Sequence, residues 1–244
     1  MAFVKSAERV FFILEMFEKT RAPMTLHDVA KTQGWPTSST AALLKTLVKL
    51  GYLDHDRYTR TYFPTMRIAE LGRWVDREIF EDPTIFNQIN VMSEATQEAI
   101  TLGTQSDLYT QYVHAVPSSL TFAYNPSIGF SRLLAFSGPG WLLLGRHKDE
   151  QIEKLVRRMN ALPNSGYPRV DLDVLMRHVE TGRMRGWTYS RNLVYEGVGV
   201  IAFNMPQGRH KRYFTLAIHG PLNRLDEKQP EIFRLMADFM GRFE

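Results

Sequence analysis

The stretch GWPTSSTAALLKTLVKLGYLDHDRYTRTYFPT, residues 34–65, decides the fold. Gly34 is a helix-ending signal and Pro36 a first-turn signal, so a new helix opens near Thr37 and runs to Leu50, where Gly51 closes it. YLDHDRYTRTYFP then alternates around a polar tip, Asp54 to Arg60, the pattern of a short two-stranded wing. Upstream, Thr25 stands as an N-cap before LHDVAKTQ, in which Leu26, Val29 and Ala30 share a face. KSAERVFFILEMFEK, residues 5–19, spaces Ala7, Val10, Phe11, Leu14 and Phe17 as an amphipathic helix, and RAP at 21–23 breaks it. Three short helices and a wing predict a winged helix-turn-helix over residues 1–64.

Beyond it, TMRIAELGRWVDREIFE (65–81) is again amphipathic through Met66, Ile68, Leu71, Val75 and Ile79, and Asp82–Pro83 marks a boundary. The expected division is a DNA-binding domain at 1–64, a linker helix at 65–82 and a regulatory domain at 83–244. In the last, a helix at about 84–97 precedes strand-like runs at 99–104, 108–116 and 119–124. Helices follow near 149–159 and 171–185, then strand-like GWTYSR, GVGVIAFNM and RYFTLAIHG, then a helix at about 226–243. That order predicts an α+β, sensor-like domain.

Composition narrows the function. In 244 residues, 44% are hydrophobic and none is cysteine, which excludes disulfides, thiolate metal sites and cysteine nucleophiles. The longest apolar runs, such as VFFIL at 10–14, are far below the roughly 20 residues that span a bilayer. Charges thread the first 20 residues, unlike a signal peptide. A cytoplasmic protein without membrane partners is expected. Residues 1–64 carry nine Lys/Arg against six Asp/Glu, within a chain of net charge +4, a mild surplus that permits nucleic acid as a partner.

Projected on a helical wheel, residues 37–50 set Leu43, Leu44, Leu47 and Leu50 against a stripe of Ser38, Ala41, Ala42, Lys45 and Lys49. The second helix of such a motif enters the major groove by its N-terminal residues. Thr37, Ser38 and Ser39 are candidate partners of bases or phosphates, Lys45 and Lys49 of the backbone, and Arg57 and Arg60 of phosphate or the minor groove beside the wing. The plainer alternative has the hydroxyls capping the helix and the lysines merely solvating it. The helix–turn–helix–wing spacing, rather than any single residue, favours DNA.

These residues resemble the N-terminal signature of the IclR family of bacterial transcriptional regulators, and the resemblance runs down the whole chain. KSAERVFFILEMF is similar to the family's first helix and RIAELG to its linker helix. GFSRLLAFSGPGWLLLG and RGWTYSRNLVYEGVGVIAF stand where two C-terminal signatures belong. The chain departs from the family with Ala42 where a basic residue is usual in the reading helix. Leu133, Ala135 and Trp141 replace Pro, His and Lys, and Asn192 and Leu193 replace acidic residues. Alanine there can still meet a thymine methyl.

The resemblance implies a C-terminal GAF/PAS-like domain that binds a small-molecule effector. Carried over, its lining is Thr121 and Tyr124 on an early strand, Gly138 and Pro139 at a helix start, Ser190, Val200, and Ala217 with His219 on a late strand. Tyr124, Trp141 and Phe203 are candidate walls, and Ser190 and His219 candidate anchors, for an aromatic or hydrophobic carboxylate. Trp141 and Phe203 read equally as core. A protonated His219 beside an anion would make affinity fall as pH rises through its titration. The alternative makes it a core histidine.

GVGVIA at 197–202 imitates a nucleotide-binding string, but lies in a strand pattern with no helix after it. The histidines lack metal-ligand spacing, and Ser131 lacks the second glycine of a nucleophile elbow. Neither catalysis, nor a metal, nor a cofactor is expected. The reading is a one-component regulator whose partners are double-stranded operator DNA, a small effector and further copies of itself, as a dimer or dimer of dimers through helices 5–19 and 65–81. The alternatives are an enzyme with an oligomerisation arm and a ligand-blind architectural DNA-binding protein.

Overall fold

A computed structural model describes residues 4–74, 84–121, 123–207 and 211–241. The chain divides into two compact units, residues 1–77 and 78–244.

The first unit contains α1 (Lys5–Thr20), β1 (Met24–Thr25), α2 (Leu26–Gln33), α3 (Thr37–Lys49), β2 (Leu53–Asp56), β3 (Thr61–Pro64) and α4 (Arg67–Gly72). The hairpin β2–β3 is the wing, and β1 adds to it in the order β1-β3-β2. Thr25 caps α2 in a full capping box with Asp28, and Gly34 ends it in the left-handed conformation at φ 64°. The core is Ile13, Met16 and Phe17 of α1 packed with Val29, Leu44, Leu47, Leu53 and Tyr62. The α1 stripe is therefore offset from the one expected: Ala7 and Phe11 are exposed. On α3 the buried row is Thr40, Leu44 and Leu47, while Leu50 is half exposed at the C-cap, where the helix has already ended. The helix expected over 65–81 is seen as α4; Val75, Ile79 and the Asp82–Pro83 boundary lie outside the described residues.

The second unit runs α5 (Ile85–Thr96), β4 (Ala99–Ser106), β5 (Tyr109–Val116), β6 (Ser131–Leu133), α6 (Gly138–Leu144), α7 (Asp149–Asn160), α8 (Leu172–Arg185), β7 (Trp187–Arg191), β8 (Val198–Asn204), β9 (Phe214–Pro221) and α9 (Leu222–Met240). Its strands form one antiparallel sheet in the order β6-β5-β4-β9-β8-β7. Strand alternation splits β9 cleanly. Leu216 and Ile218 join Ile89, Met92, Ile232 and Met236 in the core beneath α5 and α9. Ala217 faces the opposite side, with Val200 and Ala202 against Leu142 of α6. A second cluster joins Trp141, Leu143 and Leu144 of α6 to Ile152 and Val156 of α7 and Leu175 and Val179 of α8.

The run 119–124, expected as a strand, joins no ladder among its described residues. Local side-chain bonds take its place. Ser118 Oγ donates to the Gln97 carbonyl and accepts from Leu120 N–H, while Asn125 Oδ1 accepts from Ser118 N–H. The outer strand is instead the three-residue β6, which was not expected.

Candidate functional site

On α3, Thr37, Ser38, Ala42, Lys45 and Lys49 are exposed, and Ala41 and Ser39 half-buried, so the predicted stripe is one continuous outer face. No side chain caps the helix; Pro36 holds the N-cap position. Ser39 Oγ and Thr40 Oγ1 both donate to the Pro36 carbonyl at 3.0 Å, and Ser39 also accepts from Arg9 at 3.4 Å. Ser39 is thus engaged within the protein, whereas the Thr37 and Ser38 hydroxyls have no protein partner among the described residues. Arg9, not singled out in the sequence, lies over the Trp35 ring at 4.9 Å beside the start of α3.

In the wing, Arg57 and Arg60 are exposed on either side of Tyr58, which is 99% exposed. Asp56 Oδ1 accepts from Tyr58 N–H and Thr59 N–H, which shapes the tip and holds its carboxyl below the ordinary carboxylate range. Among the described residues, neither Lys45, Lys49, Arg57 nor Arg60 is paired with a carboxylate. Four free cations and two free hydroxyls on one motif suit a polyanion.

In the second unit, cross-strand register places Ser190 opposite Val200, and Val200 opposite His219, in a single row across β7, β8 and β9. With Gly138 and Pro139 of α6 and with Tyr124 they line one narrow cavity. Its volume is about 10 Å³, room for a single water. Leu193 and Val194 of the β7–β8 loop and Val198 supply its apolar wall. Beside them the Tyr195 ring rests 5.6 Å from that of Tyr124.

Two of the expected lining residues lie elsewhere. Thr121 is exposed in the irregular segment, and Ala217, although on the His219 face, is covered by α6. Trp141 stacks on His178 at 4.0 Å and donates Nε1–H to the Ala135 carbonyl. Phe203 packs on Phe233 of α9. Both are core rather than cavity walls. The sequence missed Tyr112 of β5, Arg132 of β6 and Ser137, all of which line the cavity.

His219 is fully buried, with Nε2 2.7 Å from Thr101 Oγ1. Burial, reinforced by Arg132, drives its pKa down to about 3, so the imidazole of the ligand-free protein is neutral. Its Nδ1 is buried without a partner among the described residues. Arg132, 9% exposed, lies over Phe130 and reaches Tyr124 Oη at 3.4 Å. Among the described residues it has no carboxylate partner. Tyr112 is buried, which raises its pKa and keeps the phenol neutral.

A winged helix-turn-helix joined to a sheet domain with an internal cavity defines a DNA-binding regulator. The helix-turn-helix domain of the IclR family matches residues 6–57, and the family's C-terminal domain of bacterial transcriptional regulators matches residues 84–239. The chain belongs to the IclR family, a family of transcriptional regulators rather than enzymes. It is 20% identical over 234 residues to the HTH-type transcriptional regulator XynR of Escherichia coli, covering 96% of this chain and 93% of that one. The fold is similar to the IclR structure of Thermotoga maritima (TM-score 0.71, 16% identity, 98% and 97% of the two chains). It is also similar to an IclR homolog of Microbacterium hydrocarbonoxydans complexed with 4-hydroxybenzoate (TM-score 0.64, 18% identity, 94% of each chain).

Proposed function

We propose that this regulator reads operator DNA with α3 and is controlled by a small organic acid held in the sheet cavity. Thr37, Ser38, Ala41, Ala42, Lys45 and Lys49 face the major groove, and Arg57 and Arg60 meet the backbone or minor groove beside it. The effector is an aromatic or hydrophobic carboxylate. The observation that carries this is the cavity itself: an apolar wall of Val198, Val200, Leu193 and Val194 faces the buried Arg132 and the Nδ1 of His219, which has no partner among the described residues. The 4-hydroxybenzoate in the Microbacterium relative is a ligand of that kind.

The division into residues 1–64, 65–82 and 83–244 assigns reading, linking and sensing in that order, in a cytoplasmic setting. The working form is a homo-oligomer, a dimer or dimer of dimers. Phe11 of α1 is 65% exposed, and Met66, Leu71 and Trp74 in and around α4 are 70%, 56% and 62% exposed, apolar surface that a second copy would cover. Effector and DNA affinity are then linked reciprocally. The test selects duplexes from a random pool with the full chain, then titrates aromatic acids, 4-hydroxybenzoate among them, into the complex. A change in duplex affinity together with a melting shift supports the reading. A duplex-binding chain indifferent to every acid would make it a ligand-blind DNA-binding protein.

A further inference from the structure

Two features of the cavity are unusual for a buried site. Arg132 is nine-tenths buried on a short outer strand, and among the described residues its only polar side-chain contact is the long one to Tyr124. An unpaired buried charge is strongly disfavoured, so such a guanidinium persists where an anion completes it. The second is the orphan Nδ1 of His219. The Thr101 hydroxyl has no other partner among the described residues, so its proton is best used toward Nε2. A neutral imidazole that accepts at Nε2 carries its proton on Nδ1, and is therefore a donor turned away from Thr101. Arg132, His219 Nδ1–H and the hydroxyls of Tyr112 and Tyr124 give this cavity several donors, and among the described residues no carboxylate lines it.

We infer that Arg132 selects the effector by charge: its guanidinium seats the carboxylate of a small organic acid, and neutral His219 adds a hydrogen bond through Nδ1–H. This rests on the reading of the cavity as the effector site, and names the residue that sets its specificity. Arg132 suits the role because a planar guanidinium meets both carboxylate oxygens at once. Phe130, 5.1 Å beneath it, holds it flat. The present cavity is too narrow for an aromatic acid, so binding must part the loops that carry Tyr124 and Tyr195, whose rings meet beside His219.

The test is calorimetric titration of the full chain with benzoate, 4-hydroxybenzoate and phenylacetate, each against its neutral amide. Wild type should prefer an acid over its amide by about thirtyfold, the scale of a charge-assisted hydrogen bond. Arg132→Gln should lose that preference while binding the amide within about threefold of wild type, which also shows that it has folded. Arg132→Lys should keep part of the preference, as a single point charge, and decides the matter if the glutamine variant does not fold. Arg158→Gln, which removes an exposed arginine paired with Asp107, should behave as wild type. An unchanged acid-to-amide ratio in both Arg132 variants would overturn the inference. Equal binding of acid and amide by wild type would also overturn it, while leaving the cavity as the effector site. Failure of wild type to bind any of these compounds would overturn both.

Discussion

Lowering the pH from 7 to 5 should destabilise the sensor unit through one residue. His219 has a pKa of about 3 in the folded protein against 6.5 for an unperturbed imidazole. Below pH 6.5 the unfolded chain takes up a proton that the folded chain refuses. Stability from this group is therefore full above pH 6.5 and is lost as pH falls toward 3. At pH 5 the linkage amounts to about 2 kcal/mol. The groups that face the imidazole do not reverse this sign: Arg132 itself pushes the His219 pKa down, and burial raises that of the Tyr112 phenol. Urea unfolding of wild type and His219→Gln at pH 5, 6, 7 and 8 isolates the effect, because the other titrations cancel in the difference. Wild type should lose about 2 kcal/mol more than the variant between pH 7 and 5. NMR provides a second reading, since one imidazole signal, absent from the variant, should not move between pH 8 and 5. A His219 signal that titrates near pH 6.5, with parallel stability profiles, would refute the assignment of a neutral buried imidazole.

Lys45→Ala should weaken binding to every duplex about equally and lower the salt slope by about one, as measured by fluorescence anisotropy across a salt series; an unchanged slope would mean that Lys45 touches no phosphate. Exposed Ala42 has only a methyl to offer, so replacing thymine by uracil beneath it should cost on the order of 1–3 kcal/mol in operator affinity. Equal binding of the uracil duplex would move specificity to the wing or to DNA shape. Gly140→Ala would put Cβ 2.2 Å from the Leu134 carbonyl oxygen and 2.6 Å from Ser137 Oγ, which caps α6 by accepting from Gly140 N–H. Backbone must move to admit it, so a fall in Tm of many degrees is expected, and a Tm within two or three degrees of wild type, roughly the shift that 1 kcal/mol produces, would show that α6 can slide.

What the sequence disclosed and what it withheld follow from the range of the interactions involved. The reading helix and wing were legible because Gly34, Pro36, Gly51 and the alternation of 52–64 act locally, within a few residues of the structure they specify. The row Ser190–Val200–His219 was partly legible, since the period of two fixes which strand residues share a face. That same rule could not show that α6 covers Ala217 and leaves His219 lining the narrow cavity. The segment 119–124 has a strand's composition, yet Ser118 and Asn125 tie the chain into local bonds, and side-chain competition of that sort has no period to detect. Arg132 was invisible for a related reason. Three residues of β6 are too short for an alternation, and an arginine beside Ser131 reads as surface. Only the order β6-β5-β4-β9 brings its strand to the side of the sheet that also holds His219. The neutrality of His219 in the ligand-free protein was not legible because a sequence shows neighbours along the chain, and both the burial that lowers its pKa and the Arg132 that adds to it come from residues distant in it. The two gaps share one cause: once Arg132 stands in the cavity, the histidine no longer has to be a cation for an anion to bind. A carboxylate seated there would in turn weaken the opposition to a proton on His219. Effector affinity should therefore be flat near neutral pH and rise only as acidity approaches the imidazole's raised, ligand-bound pKa.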